Sequence, residues 1–302
     1  MLNFGFKRLF SLFLLISSTS IVVAEEIPVE EFFCDSALSG VTLSPDGKKY
    51  AALVPVNGPS CAVEEDDDPQ SARVLLVMDL ETKKPIILSG TADYARIVQF
   101  FWLNDDRIGF YKQPTRGLDA YDLWAIDIDG KNLKKLVPGK WEDGYATGAS
   151  VSFLMDDDPD HVLVEYNKRR PKYTDIYKLN IYSGRLTTLA VDPVLGNNTL
   201  MGWAIDQQGN VRGYMAMDGL KYKLYHRNDV NKDFELLREF TYQEAMFMPQ
   251  AYDYDPRYVY VVGQPIAKDG TILDNSDTDA LWKYDAYEDE FVEKIYSHPK
   301  YD

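Results

Sequence analysis

Short runs of apolar and aromatic residues that end in Asp or Asn, pass through a polar turn and resume as a second apolar run recur five times along the chain. They read VLLVMDLETKKPIIL from Val74, LWAIDIDGKNLKKL from Leu123, IYKLNIYSGRLTTL from Ile176, LYHRNDVNKDFELL from Leu224 and LWKYDAYEDEFVEKI from Leu281. The Asp/Asn positions are Asp79, Asp127, Asn180, Asn228 and Asp285. A companion phrase of the same grammar precedes each: VTLSPDGKKYAALV from Val41, FFWLNDDRIGFY from Phe100, SFLMDDDPDHVLVEY from Ser152, GWAIDQQGNVRGYM from Gly202 and QAYDYDPRYVYVV from Gln250. Such runs, bounded by Asp, Asn, Pro and Gly, predict strands joined by hairpin turns. The bounding residues supply the turn dihedrals and the local side-chain hydrogen bonds. Apart from one or two turns at Val29–Phe33, no segment keeps a helical period.

Two hairpins per unit make four strands, and units repeating about every 50 residues are the signature of a β-propeller. The expected fold class is therefore all-β, with five four-stranded antiparallel blades at about 38–90, 97–138, 151–191, 200–240 and 248–297. A lead-in at 25–37 would precede this propeller, which runs over 38–302. Trp102, Trp124, Trp203 and Trp282 fall at strand positions and are expected to pack between neighbouring blades.

Charge and processing signals narrow the setting. Lys7 and Arg8, the apolar run Leu9–Ile16 and the small residues ending at Ala24 read as a secretory signal at 1–24, which implies a periplasmic or secreted protein. Ser17–Ser20 interrupt the apolar stretch short of a span, so no membrane span is expected after its removal. A net charge of −16 argues against nucleic acid and anionic lipid as partners and for solubility. Cys34 and Cys61 make an even count, which in an oxidising compartment suggests a disulfide, with free thiols as the alternative. The acidic run Glu64–Asp68 lacks the alternating ligands and closing Glu of a calcium loop, and Cys34 and Cys61 have no nearby His for zinc. No cofactor or metal is expected.

The ordered set of IPVEEFF at Ile27–Phe33, LSPDGKKYAALVPVNG at Leu43–Gly58, FFWLNDDRIGFY, DLWAIDIDGKNLKKL and DPDHVLVEYNKRRPKYTDIYKLNIYSGRL at Asp158–Leu186 carries a family resemblance. It resembles the N-terminal propeller of bacterial prolyl oligopeptidase family serine peptidases, of the dipeptidyl or acylaminoacyl peptidase kind, from Ile27 to the end. The SPDG motif alone is shared with unrelated propellers; the order and spacing carry the likeness. The resemblance implies a propeller that caps an α/β-hydrolase domain and lets peptides, but not folded proteins, reach a Ser, Asp and His supplied by that domain.

Those catalytic parts are not legible here. The nearest shape to G-x-S-x-G, Gly144–Gly148, has Ala146 at its centre, and no strand–helix alternation suggests a parallel sheet. His161, His226 and His298 are expected to be ordinary surface or edge histidines. Family propellers have seven or eight blades where five are visible, and EKIYSHPKYD resembles the end of a middle blade. A front portion of a longer peptidase and a self-closing ring of five are both open. The expected function is a non-catalytic propeller region that gates peptide substrate and docks a hydrolase domain. The alternative is a stand-alone periplasmic module whose loops Asn57–Ala72 and Ile266–Asp279 bind an envelope protein. A glycosidase-like pair of carboxylates has no support, because 48 acidic residues create such pairs by chance.

Overall fold

The structure is a computed structural model that describes residues 37–56, 73–88, 97–113, 120–193, 198–241, 247–263, 265–267, 271–274, 276 and 278–300. The expected signal segment, the Val29–Phe33 turn, Cys34 and Cys61 and the acidic loop at 57–72 lie outside the described residues.

Twenty-two strands and no helix appear among the described residues. The first blade holds β1 (Ser39–Leu43), β2 (Lys49–Pro55), β3 (Arg73–Asp79) and β4 (Pro85–Leu88). The second holds β5 (Ile97–Asn104), β6 (Arg107–Lys112), β7 (Asp122–Asp127) and β8 (Lys134–Val137). A separate hairpin of β9 (Lys140–Glu142) and β10 (Tyr145–Thr147) follows. The third blade holds β11 (Ala149–Leu154), β12 (His161–Arg170), β13 (Tyr173–Asn180) and β14 (Leu186–Ala190). β15 (Thr199–Ile205), β16 (Val211–Asp218), β17 (Lys221–His226) and β18 (Glu235–Thr241) form the fourth. β19 (Phe247–Tyr252), β20 (Tyr258–Gly263), β21 (Ala280–Asp285) and β22 (Glu290–Ser297) form the fifth. In every blade the sheet order is the chain order and all pairings are antiparallel. The fold is an all-β assembly of propeller blades.

The turns explain themselves locally. Between β3 and β4, and again between β13 and β14, the residue four past the turn Asp or Asn takes a left-handed conformation: Lys83 at φ 55° and Gly184 at φ 75°. Its amide donates back to the carbonyl of Asp79 or Asn180 at 2.9 Å in both cases. Glycine reaches that φ without steric cost, whereas Lys83 and Asp289 (φ 57°) reach it against their Cβ atoms.

The core lies between blades. Ala51, Leu53, Leu75, Val77 and Leu88 of the first blade meet Ile97, Phe100, Trp102, Ile108 and Phe110 of the second. Leu103, Leu123 and Val137 meet Val162, Val164, Tyr166 and Leu179 across the next seam. Leu163, Ile176 and Ala190 meet Val211, Trp203 and Ile205. Leu224 and Phe240 meet Phe247, Val259, Val261 and Tyr284. Each buried Val, Leu, Ile or Phe among them contributes about 1.5–3 kcal/mol by leaving water. All four strand tryptophans sit at these seams, and two reach across them: Trp102 Nε1 donates to Thr42 O at 3.3 Å and Trp203 Nε1 to Thr174 O at 3.1 Å.

Inner strands of the middle blades are buried on both faces, as in the run Val162–Leu163–Val164 of β12. β20 instead alternates strictly, with Val259 and Val261 buried and Tyr258, Tyr260 and Val262 half-buried. Among the described residues no core cluster joins the fifth blade to the first.

Candidate functional site

Because each sheet keeps chain order, the first and third turns of every blade fall at one end, and the second connection and the blade-to-blade crossing fall at the other. The two ends do different things.

At the tight-turn end, Asp79, Asn180 and Asp285 hold their turns through a side-chain oxygen, and Asp127 does so through its backbone and Asn132. Asp79 Oδ1 accepts from the amides of Glu81 (3.1 Å) and Thr82 (2.7 Å) and from the Thr82 hydroxyl (2.9 Å). These hydrogen bonds, those of Thr82 foremost, hold its carboxyl below the usual range. Asn180 Oδ1 accepts from the Tyr182 and Ser183 amides, and Asp285 Oδ1 from those of Tyr287 and Glu288. Asn228 lies just past the end of β17 and contributes its carbonyl, which accepts from Arg212 Nη1 at 2.9 Å and from the Tyr287 hydroxyl at 3.0 Å.

A basic residue from the start of the second strand accompanies each of these positions, a regularity that the strand-turn pattern did not reveal. Lys49 pairs in register with Asp79, and Arg107 with Asp127. His161 Nε2 meets Asn180 Nδ2 at 3.2 Å, and Arg257 Nε donates to Asp285 at 2.7 Å. In the fourth blade Arg212 Nε also donates to the fully buried Asp206 at 2.7 Å. The signal was present: Lys49, Arg107, His161, Arg212 and Arg257 each stand within a few residues after a tight turn. Arg107 and Arg257 neutralise Asp127 and Asp285, and His161 and Arg212 fasten one turn of a blade to another through Asn180 and Asn228.

The histidines divide. His161 is engaged on both ring nitrogens, by Asp158 (2.8 Å) and Asn180. His298 Nδ1 accepts from the Lys300 amide at 3.2 Å. His226, expected at the surface or an edge, is instead buried at 7% exposure, because β17 turns it into the seam with the fifth blade, against Tyr252 and Tyr287. Burial, helped by the nearby Arg212, pulls its pKa down to about 4. The Gly144–Gly148 stretch is no nucleophile turn: Tyr145–Thr147 form β10 and the Ala146 carbonyl accepts from Asn167 Nδ2 at 2.8 Å. No group of three metal-ligating side chains occurs among the described residues.

The opposite end carries an arc of three clefts. One of about 550 Å³ lies between the first and second blades, lined by Ser39, Arg73, Gln113 and Tyr121. One of about 450 Å³ lies between the second and third, lined by Tyr111, Tyr121, Ser150 and Glu165. A third, of about 120 Å³, lies between the third and fourth, lined by Glu165, Tyr173, Leu200 and Met201. Val98 and Tyr121 are shared by the first two, and Glu165 and Thr174 by the last two.

Most polar groups in the arc are committed to structure. Asn167 Oδ1 accepts from the Gly148 amide (3.0 Å), and its Nδ2 also donates to Pro171 O (2.8 Å). The Tyr111 hydroxyl accepts from the Val151 amide at 2.7 Å, and burial raises its pKa. Arg169 forms two 3.0 Å hydrogen bonds to the fully buried Asp175, which also accepts from the Asp192 amide at 2.8 Å. Glu165 differs. It sits on β12 between Ser150 and Ile176, half-buried, and makes no hydrogen bond or ion pair among the described residues. Burial alone raises its pKa. A lone Glu inside the run VLVEYN was visible in the sequence, yet only the cleft shows where it stands.

No family model matches the chain. Over 167 residues, 55% of this chain, it is 28% identical to dipeptidyl aminopeptidase BIII of Pseudoxanthomonas mexicana, and the match covers 21% of that protein. In fold it is similar to a protein described as a dipeptidyl aminopeptidase IV from Bacteroides ovatus, at TM-score 0.54 and 11% identity over 88% of this chain and 42% of that one. It is likewise similar to a prolyl endopeptidase, at TM-score 0.54 and 14% identity over 89% of this chain and 37% of the other. The chain thus spans less than half of each of these proteins. It resembles the propeller portion of prolyl oligopeptidase-like peptidases, in sequence through the first and in fold through the other two.

Proposed function

We propose, from that likeness to peptidase propellers, that this chain docks an α/β-hydrolase domain and controls which peptides reach it, without a catalytic centre of its own. The observation that supports the reading is the arc of three joined clefts at the end of the propeller that carries the blade-to-blade crossings. A folded protein does not enter such clefts, whereas an extended chain can lie along them. Mixing the mature chain with the isolated hydrolase domain of the dipeptidyl aminopeptidase it resembles tests the reading by sedimentation and by turnover. A complex is expected, with cleavage confined to short peptides, and the chain alone should leave dipeptidyl chromogenic substrates intact. Turnover by the pure chain would overturn the non-catalytic reading. Failure to dock, together with recovery of a different envelope protein, would favour the stand-alone binding module.

We propose export as the setting, supported by the Lys7–Ala24 pattern. Fractionation and N-terminal sequencing should find the chain outside the cytoplasm, beginning after Ala24. An oxidising compartment would then join Cys34 to Cys61, which a two-dalton mass change on reduction reads directly.

A further inference from the structure

We propose that the cleft between the third and fourth blades binds the side chain of a peptide lysine or arginine, with the Glu165 carboxylate as its counter-ion. This rests on reading the chain as a peptide-handling propeller and names what one of its clefts selects.

Three observations converge on that cleft. Glu165 lines it without a partner, and a half-buried carboxylate that lacks one calls for a cation. Lys172 lines the same cleft yet forms no ion pair with it. The remaining walls include Tyr173 from β13 and Leu200, Met201 and Gly202 from β15, which suit a methylene stem whose charge lies at its far end. A volume of about 120 Å³ admits one long side chain and excludes a folded segment. A bare terminal ammonium would satisfy Glu165 and leave those apolar walls unmatched.

The titratable groups around Glu165 are Lys172, Tyr173 and Asp192 on one side and Tyr111 and Tyr121 across the neighbouring cleft. Burial raises the Glu165 pKa, so the carboxylate loses its charge, and its hold on a cation, as pH falls through a range above that of ordinary glutamates.

The test uses the full mature chain, isotopically labelled, titrated by NMR with three amidated probes: acetyl-Ala-Lys-Ala, acetyl-Ala-norleucine-Ala and free-amine Ala-norleucine-Ala. The lysine probe is expected to bind about tenfold or more tightly than the acetylated norleucine probe. That margin should vanish in Glu165→Gln, a variant whose melting curve confirms folding, and should shrink at acid pH. Equal affinity for the two acetylated probes, a margin that persists in E165Q, or tightest binding of the free-amine probe would each overturn the assignment. Hydrolase docking plays no part in this readout, so either result stands apart from the outcome of the docking experiment.

Discussion

Truncating Arg107 to Ala should be among the most damaging single changes in this molecule. The side chain is 1% exposed and serves acceptors in two blades. Its Nε donates to Ile181 O of the third blade at 2.9 Å, while Nη2 donates to Asn132 O at 3.1 Å and Nη1 pairs with Asp127. The guanidinium also lies over the Tyr182 ring, 4.9 Å from its centroid. Removing it strands the buried Ile181 carbonyl, frees the Asn132 carbonyl to water and leaves Asp127 with Asn132 alone for compensation. Breaking a buried pair of this kind costs about 3–5 kcal/mol. Arg257 makes the equivalent pair with Asp285 in the fifth blade, but its side chain is 39% exposed. Water replaces most of that interaction, so Arg257→Ala should cost about 1 kcal/mol or less. Arg107→Lys keeps the charge but cannot fork to three acceptors, and should fall between the two. Urea unfolding followed by tryptophan fluorescence at pH 7, with the m-value checked for constancy, measures all three. If Arg107→Ala proves no worse than Arg257→Ala, burial is not what gives the first pair its value, and the account of the seam between the second and third blades is wrong.

Other expectations follow from the same geometry. Ionised Glu165 is disfavoured in the fold, so wild-type stability is lost as pH rises through its raised pKa; E165Q should melt higher than wild type at neutral pH and equal to it below the ordinary glutamate range. Equal melting at both pH values would remove the desolvation argument. His226, held near 4, stays neutral in the fold while the unfolded chain takes up its proton below about 6.5. Stability should therefore fall by on the order of 3 kcal/mol between pH 6.5 and 4, and His226→Phe should lose that part of the slope in pH-dependent urea midpoints. Parallel slopes would refute the assignment. A Cβ at Gly213 would stand 2.5 Å from Tyr225 O, whereas one at Gly202 meets nothing within 4 Å. Gly213→Ala should cost about 1–3 kcal/mol and Gly202→Ala should be tolerated within about 0.5 kcal/mol by thermal melting; comparable losses would contradict the close approach of β17 to β16 at Gly213.

The blades were legible because their signal is local. A run such as YVYVVG alternates with period two, and a turn such as SPDGK carries its own dihedral and hydrogen-bond requirements, so each strand announces itself within a dozen residues. The β9–β10 hairpin escaped because Lys140–Glu142 and Tyr145–Thr147 are only three residues each, too short to show any period. His226 was misjudged for a different reason. Its neighbours in sequence, Tyr225 and Arg227, say nothing of Tyr252, which comes from another blade and covers it. The cleft around Glu165 is likewise a product of assembly, since its walls come from β12, β13 and β15 and no window of sequence contains them together. Its unpaired state is defined by which groups fail to arrive, and that is a property of three dimensions.

The division of the connections between two rims has a consequence for how such a protein can change. At one rim Arg107 reaches Ile181 O and the Tyr287 hydroxyl reaches Asn228 O, each in a neighbouring blade, so an insertion there unpicks a blade from its neighbour. The other rim hangs from strand ends that the seams have already secured, and a graft between β18 and β19, for instance, would alter what the rim touches while the wheel keeps turning on the same bearings.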